Sequence, residues 1–280
     1  MRTFDVHQHL LPTPLVEALR ARTEHPRLVA GSLELTEGSF PFRERDHDLG
    51  ERIALLDGDG TDVAVISLAP TLEVEDHAEL RDAYHDGMRE VLAAANGRLR
   101  ALASGVCLEG FAGACVSAQA LVGGLGDLPV ELARAGQVLF VHPGPPAATP
   151  PSAPPWWAAV ADYTMQMQAA YLSWLTGGAE GHPDLDVVFA VLAGGAPIQL
   201  ERLRSRGGEA PQAPARIYLD TASYGPRALR LCAEAHGAGR LVFGSDAPVV
   251  QPASTLQALA ELGDAVLASA RSENPSRLFR

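Results

Sequence analysis

The strongest constraint on the fold is an alternation that recurs along the chain: short apolar runs, each followed by a longer segment with helical spacing. The runs lie at 3–7, 61–68, 99–106, 137–142, 186–192, 216–221 and 240–246. They are nearly continuous in apolar residues, as strands covered on both faces must be. Helical patterns occupy 49–60, 78–97, 156–178, 226–239 and 253–271. The second stops at Asn96-Gly97, a common helix ending. Repeated strand–helix units predict a parallel sheet. Seven clear strands and a weak eighth at 120–126 give eight units in roughly 250 residues, which fits a (β/α)8 TIM barrel. The fourth unit reads as abbreviated, so one barrel wall is expected to be thin. An open doubly wound sheet is the alternative, but no G-x-G-x-x-G follows the first run. One domain over 1–280 is expected. The proline-rich stretch at 143–157 follows a strand and reads as a lid or wall above the sheet, not a linker.

Charge and composition narrow the function. The net charge is −12, which disfavours nucleic acid and anionic membrane surfaces as partners. All basic residues are arginine; the chain has no lysine. That removes a Schiff-base lysine, a phosphate-loop lysine and a carbamylated lysine bridging two metals. Cys107, Cys115 and Cys232 are sparse and odd in number, which suggests a reducing, cytoplasmic setting without disulfides. Asp5 and His7 interrupt the first apolar run, so it does not read as a secretory signal. No run approaches the roughly 18 residues of a membrane span.

The chemistry begins in FDVHQHLLP. Side chains two apart on a strand point the same way, so His7 and His9 would both project at the C-terminal mouth of a barrel, where barrel chemistry sits. Alone, the pair also suits a polar strand ending. QVLFVH puts His142 at another strand end, and RLVFGSD does the same for Asp246. Three imidazoles and one carboxylate make a complete mononuclear metal set.

With these residues the chain resembles the amidohydrolase superfamily, in the branch of aminocarboxymuconate-semialdehyde decarboxylase and related metal-dependent hydrolases. The resemblance spans FDVHQHLLP, RIALLDGDGTDVAV, VHPG, PWWAAVADY, HPDLDVVFA, IYLDTASYGP, LVFGSDAP and ENPSRLF. It implies that His7, His9, His142 and Asp246 hold one divalent metal ion, usually zinc, with manganese or another divalent ion as alternatives. Bound water on such a metal reaches a pKa of about 7.

One motif departs from the family. A histidine in an H-x-G-G motif ends strand six of these enzymes, whereas this chain reads FAVLAGGAP and places Leu192 there. A leucine takes no proton, and a positioned acid/base group contributes about 10² to 10⁴ in rate. His47, in the charged FRERDHDLG loop, is the candidate replacement; a solvated loop residue is the plain alternative. Arg52 matches the arginine of an R-x-x-x-x-D pattern that holds a substrate carboxylate in the resembling decarboxylases, and an arginine fork suits that task. Trp156 and Tyr224 are candidate pocket walls. The expected activity is hydrolysis of a small amide, ester or lactone, with Asp246 taking the proton. Two alternatives remain: non-oxidative decarboxylation of a small unsaturated or aromatic acid, and a metal-binding barrel with a binding or regulatory role. The expected partner is a small-molecule substrate, and a homodimer is compatible with all three readings.

Overall fold

The computed structural model describes residues 1–146, 150, 152–209 and 216–279. Eight parallel strands follow one another in sequence order around a barrel. They are β1 (Phe4–His9), β2 (Val63–Ser67), β3 (Leu99–Ser104), β4 (Gly113–Ser117), β5 (Val138–His142), β6 (Val187–Phe189), β7 (Ile217–Asp220) and β8 (Leu241–Val242). β1, β2 and β5 are buried at every position, as a sheet with helices outside and side chains inside requires. The seam closes beyond the end of β8. Val6 N–H donates to Phe243 O (2.8 Å), Asp246 N–H to His7 O (2.8 Å) and His9 N–H to Ala247 O (2.7 Å).

The crossover helices obey the expected periodicity. In Ala78–Ala94, Leu80, Tyr84 and Met88 lie four apart and are fully buried, which is one helical face. The Tyr84 hydroxyl, carried inward with that face, donates to Leu102 O at 3.1 Å. No helix among the described residues is long and apolar enough to cross a membrane.

Two expectations need correction. The fourth strand is GACVS at Gly113–Ser117, not the run at 120–126; that run begins inside a helix, Ala118–Gly123, whose N-terminus is capped by Ser117 Oγ accepting from Ala120 N–H (3.1 Å). The abbreviation also falls one unit earlier. β3 and β4 are joined by residues 105–112 without a helix, while β4 and β5 are joined by two short helices, Ala118–Gly123 and Leu128–Ala135. Gly113 explains part of this. A Cβ there would lie 2.1 Å from Val138 O, so the strand must open on a glycine, which adds nothing to an apolar run. Residues 147–149 and 151 of the proline-rich stretch lie outside the described residues.

An insertion after the first helix (Thr13–Ala21) forms a three-stranded antiparallel sheet of Arg27–Val29, Ser32–Leu35 and Gly38–Pro41. Leu35 pairs with Gly38, so Thr36 and Glu37 make a two-residue hairpin tip.

Candidate metal centre

His7 and His9 end β1 and His142 ends β5, so all three emerge at one mouth of the barrel. Their exposures are 1%, 6% and 6%. The rings stand nearly perpendicular to one another, with centroids 4.9, 5.1 and 5.2 Å apart. One nitrogen from each lies within 4.8 Å of the others. Asp246 joins them from the seam, its Oδ1 3.1 Å from His9 Nε2 and 3.7 Å from His7 Nε2. Gly244 permits this closeness: a Cβ there would lie 2.7 Å from His7 Cβ.

Hydrogen bonds on the far side of each ring show what the centre wants. His7 Nδ1 meets Asp220 Oδ2 at 2.5 Å, His9 Nδ1 meets Ser67 O at 3.0 Å, and His142 Nδ1 meets Pro143 O at 2.8 Å. All three partners are acceptors, so each Nδ1 carries a hydrogen, and each neutral ring then turns a lone pair toward the centre. Two such lone pairs, His7 Nε2 and His9 Nε2, are 3.1 Å apart beside a carboxylate. Only a cation resolves that arrangement. The residues therefore fit a divalent metal, with the outer hydrogen bonds orienting each ligand.

In the metal-free protein a proton takes that place. Burial opposes charge on His7, but the Asp220 carboxylate, with Asp246 and Asp5 behind it, pushes the ring up to about 9. His142 is held well below its ordinary value by burial and by His7 and His9. Burial would raise Asp246, yet the His9 hydrogen bond and the surrounding histidines hold it below the usual carboxylate range. Metal must displace the His7 proton. Apparent affinity should thus rise about tenfold per pH unit below pH 9 and level off above it. Titrations against a competing chelator from about pH 6.5 to 8.5 test this, with metal content expected at about one divalent ion per chain. Affinity that does not change with pH would contradict it.

Asp220, which sequence reasoning passed over, ends β7 and is fully buried. Its Oδ1 accepts from Val191 N–H (2.8 Å) and Ala222 N–H (3.0 Å) while Oδ2 holds His7. Its signal was available: a carboxylate at a strand end, the rule that found Asp246. Asp5 was also missed. Its buried carboxylate accepts from Ser245 N–H (2.9 Å), His7 N–H (3.2 Å) and Gln8 Nε2 (2.7 Å), tying β1 to the seam.

The remaining candidates sit as follows. Arg52, 3% exposed, gives Nη1 to Gln8 Oε1 (2.8 Å) and Nη2 to His9 O (2.9 Å) and Asp46 O (2.8 Å). As placed, it clamps the backbone under the centre instead of offering a free fork to a substrate. His47 Nδ1 accepts from Leu11 N–H at 3.1 Å, and the ring stacks on Phe42. Burial, with Arg52 adding, lowers it to about 4. A neutral ring accepting at Nδ1 carries its hydrogen on Nε2, so it can donate there but is a poor base. Trp156 is 56% exposed and tilted against Trp157. Tyr224 packs against the main core. Leu192 follows β6, fully buried in that core. It lies in a left-handed turn: residues 191–195 have φ of 45, 52, 52, 62 and 74°.

The whole arrangement has counterparts in solved structures. The IDCase of Metarhizium anisopliae in apo form superposes with a TM-score of 0.82 at 21% identity, covering 100% of this chain and 97% of that one. The 5-carboxyvanillate decarboxylase of Sphingomonas paucimobilis gives 0.74 at 21% identity, covering 100% and 99%. The dihydroxybenzoic acid decarboxylase of Polaromonas sp. JS666, with bound manganese and 2-nitroresorcinol, gives 0.66 at 16% identity, covering 99% and 96%. At these identities the likeness establishes the fold, a TIM barrel. No curated protein matches the sequence. The sequence model of the amidohydrolase family, Amidohydro_2, matches residues 4–280, a span holding all four candidate ligands and all eight strands, and the chain belongs to that family.

Proposed function

We propose that the protein is a metal-dependent, non-oxidative decarboxylase of a small aromatic or unsaturated acid. The observation that carries this reading is that Asp246, beside the histidines, has no second acid/base group at the strand-six position to share the proton transfers. Leu192 occupies the strand-six position, and His47, accepting at Nδ1 from Leu11 N–H, carries its hydrogen on Nε2 with its pKa lowered to about 4. Hydrolysis of an amide or ester calls for a base to take a proton from water and an acid to return one to the leaving group. Decarboxylation expels CO₂, which takes no proton; only the carbon left behind must gain one. The hydrolytic expectation is therefore less well served by these residues than its decarboxylase alternative, and decarboxylases among the structural neighbours support the same choice.

His7, His9, His142 and Asp246 would hold the ion. When bound, a divalent metal supplies Lewis acidity and a fixed anchor for an acid's oxygens. The protein does the rest. Asp220, Ser67 O and Pro143 O fix the rings. Asp246 is the carboxylate best placed to carry the single proton to carbon. The imidazole-rich set suits zinc, and manganese in the Polaromonas neighbour makes it the other ion to load.

The test is CO₂ release from a panel of small aromatic and unsaturated acids by zinc- or manganese-loaded protein, run in D₂O. One deuterium on the product carbon per CO₂ is expected, with loss of turnover in Asp246→Asn. Hydrolysis of esters, lactones or amides at ordinary enzyme rates without CO₂ release would overturn the reading.

A further inference from the structure

Three of the candidate ligands are held from behind, through the backbone, by two buried side chains of opposite charge. Asp5 receives His7 N–H (3.2 Å) and Ser245 N–H (2.9 Å) on its Oδ1. Arg52, from the helix Leu49–Gly58, gives Nη2 to His9 O (2.9 Å) and Nη1 to Ala247 O (3.4 Å). Ser245 and Ala247 flank Asp246 in the chain, and Ala247 N–H donates to Ser245 Oγ at 3.1 Å. The carboxylate thus grips one side of the ligand group and the guanidinium the other.

Neither charge meets the other directly. No ion pair among the described residues involves Asp5 or Arg52. Between them lies Gln8, the middle residue of the H-Q-H run and fully buried. Its Nε2 donates to Asp5 Oδ2 at 2.7 Å, and its Oε1 accepts from Arg52 Nη1 at 2.8 Å. The amide has only one way to sit. A guanidinium donates and never accepts, so the amide oxygen must face Arg52. That leaves the NH₂ for Asp5, whose carboxylate accepts it.

A buried charge is costly unless it is paired and hydrogen-bonded, and hydrogen bonds in a chain polarise one another. We propose that Gln8 is a positioning residue of the metal centre: its amide joins Asp5 and Arg52 into one bracket that sets the spacing of His7, His9 and Asp246. Packing alone would accept any side chain of that size. The bracket accepts only one that donates at one end and accepts at the other. The inference rests on the reading of these side chains as metal ligands.

The experiment exchanges the amide and the carboxylate. Gln8→Glu keeps an acceptor for Arg52 but sets a second carboxylate against Asp5 Oδ2. Gln8→Glu/Asp5→Asn restores the pattern: the new carboxylate faces Arg52, and the new amide donates to it while still accepting from His7 and Ser245 N–H. Zinc affinity is read by competition with a chelator, and ligand geometry by the visible spectrum of cobalt-loaded protein. Gln8→Glu is expected to weaken binding about 10- to 100-fold, as losing an outer hydrogen-bond partner of a metal site does, and to alter the spectrum. The double variant should recover about tenfold of that loss, a coupling within the range of neighbours in one network, and regain the wild-type spectrum.

Wild-type affinity in Gln8→Glu would overturn the proposal, as would a double variant that binds no better than the single. If Gln8→Glu does not fold, Gln8→Met, neutral and of similar volume, decides: weakened affinity with an altered spectrum supports the bracket, and wild-type affinity overturns it. Wild-type protein that binds no divalent ion would sink the metal reading and this inference together. Recovery in the double variant, with no CO₂ release by the wild type, supports the bracket and sinks the decarboxylase reading alone.

Discussion

Replacing Asp220 by asparagine is expected to weaken metal binding by about 10- to 100-fold, the usual cost of losing a partner behind a metal-ligating histidine. The substitution keeps the shape and changes the hydrogen bonding. Asp220 accepts from His7 Nδ1–H, Val191 N–H and Ala222 N–H, and donates nothing. An asparagine amide must turn its NH₂ toward one of those donors. If it faces His7, the ring loses its anchor and its basicity. If it faces the backbone, a buried N–H of the turn is orphaned at about 1–3 kcal/mol. Metal-free Asp220→Asn should also lose the elevated His7 pKa, so its metal affinity should change less with pH than the wild type's. A chelator titration at two pH values reads both effects. Unchanged affinity in Asp220→Asn would show that His7 is oriented by something else.

The second large effect is expected at Gly194. Five successive residues follow a left-handed path there, and three of them (Val191, Leu192 and Ala193) have side chains. Each side-chain-bearing residue in that conformation costs about 1–2 kcal/mol, so the turn persists only because its surroundings hold it. Asp220 holds Val191 N–H, and Gln168 Nε2 donates to Gly194 O at 2.8 Å. At Gly194 a Cβ would lie 2.5 Å from Thr164 O, a clash with backbone that no rotamer relieves. Gly194→Ala should cost roughly 2–5 kcal/mol, summing the left-handed penalty and overpacking, and lower the melting temperature by many degrees. Gly195→Ala is the control. Its Cβ would meet only Ile198 Cδ1 at 3.9 Å, leaving about 1 kcal/mol from conformation. Equal melting temperatures for the two variants would refute the steric account.

What the sequence disclosed and what it hid follow from physical range. Strands buried on both faces announce themselves as apolar runs, so seven were legible, and residues closing those runs, His7, His9, His142 and Asp246, could be read as one set. β4 hid because Gly113 and Ala114 are small where β5 presses close. The inserted sheet hid because its third strand is exposed at every position and has no buried face to impose a period. Asp220 meets His7 across 213 residues, and no local pattern encodes that. Arg52 was read as a fork for a substrate because its spacing matched. Its real surroundings, the carbonyls of His9 and Asp46, appear only once the loops are folded. Val191, Leu192 and Ala193 favour strand or helix by themselves; their left-handed path is imposed from outside.

The seam has a consequence for how the protein comes into being. Its two lips, at residues 4–9 and 241–247, stand at opposite ends of the described chain, and three of the four candidate ligands are divided between them: His7 and His9 on the first, Asp246 on the second, with His142 on β5 between. During synthesis the first lip leaves the ribosome long before the second exists. Until the second arrives, β1 has an open edge on that side, and bringing the two together closes a loop of over two hundred residues, whose entropic cost grows only slowly with length. An ion held there would therefore act as a clasp on the finished barrel and not as a template for its early assembly. Because the full candidate set exists only in the closed form, a bound ion would hold that form shut by mass action, and stripping it should loosen the two ends of the chain before the middle.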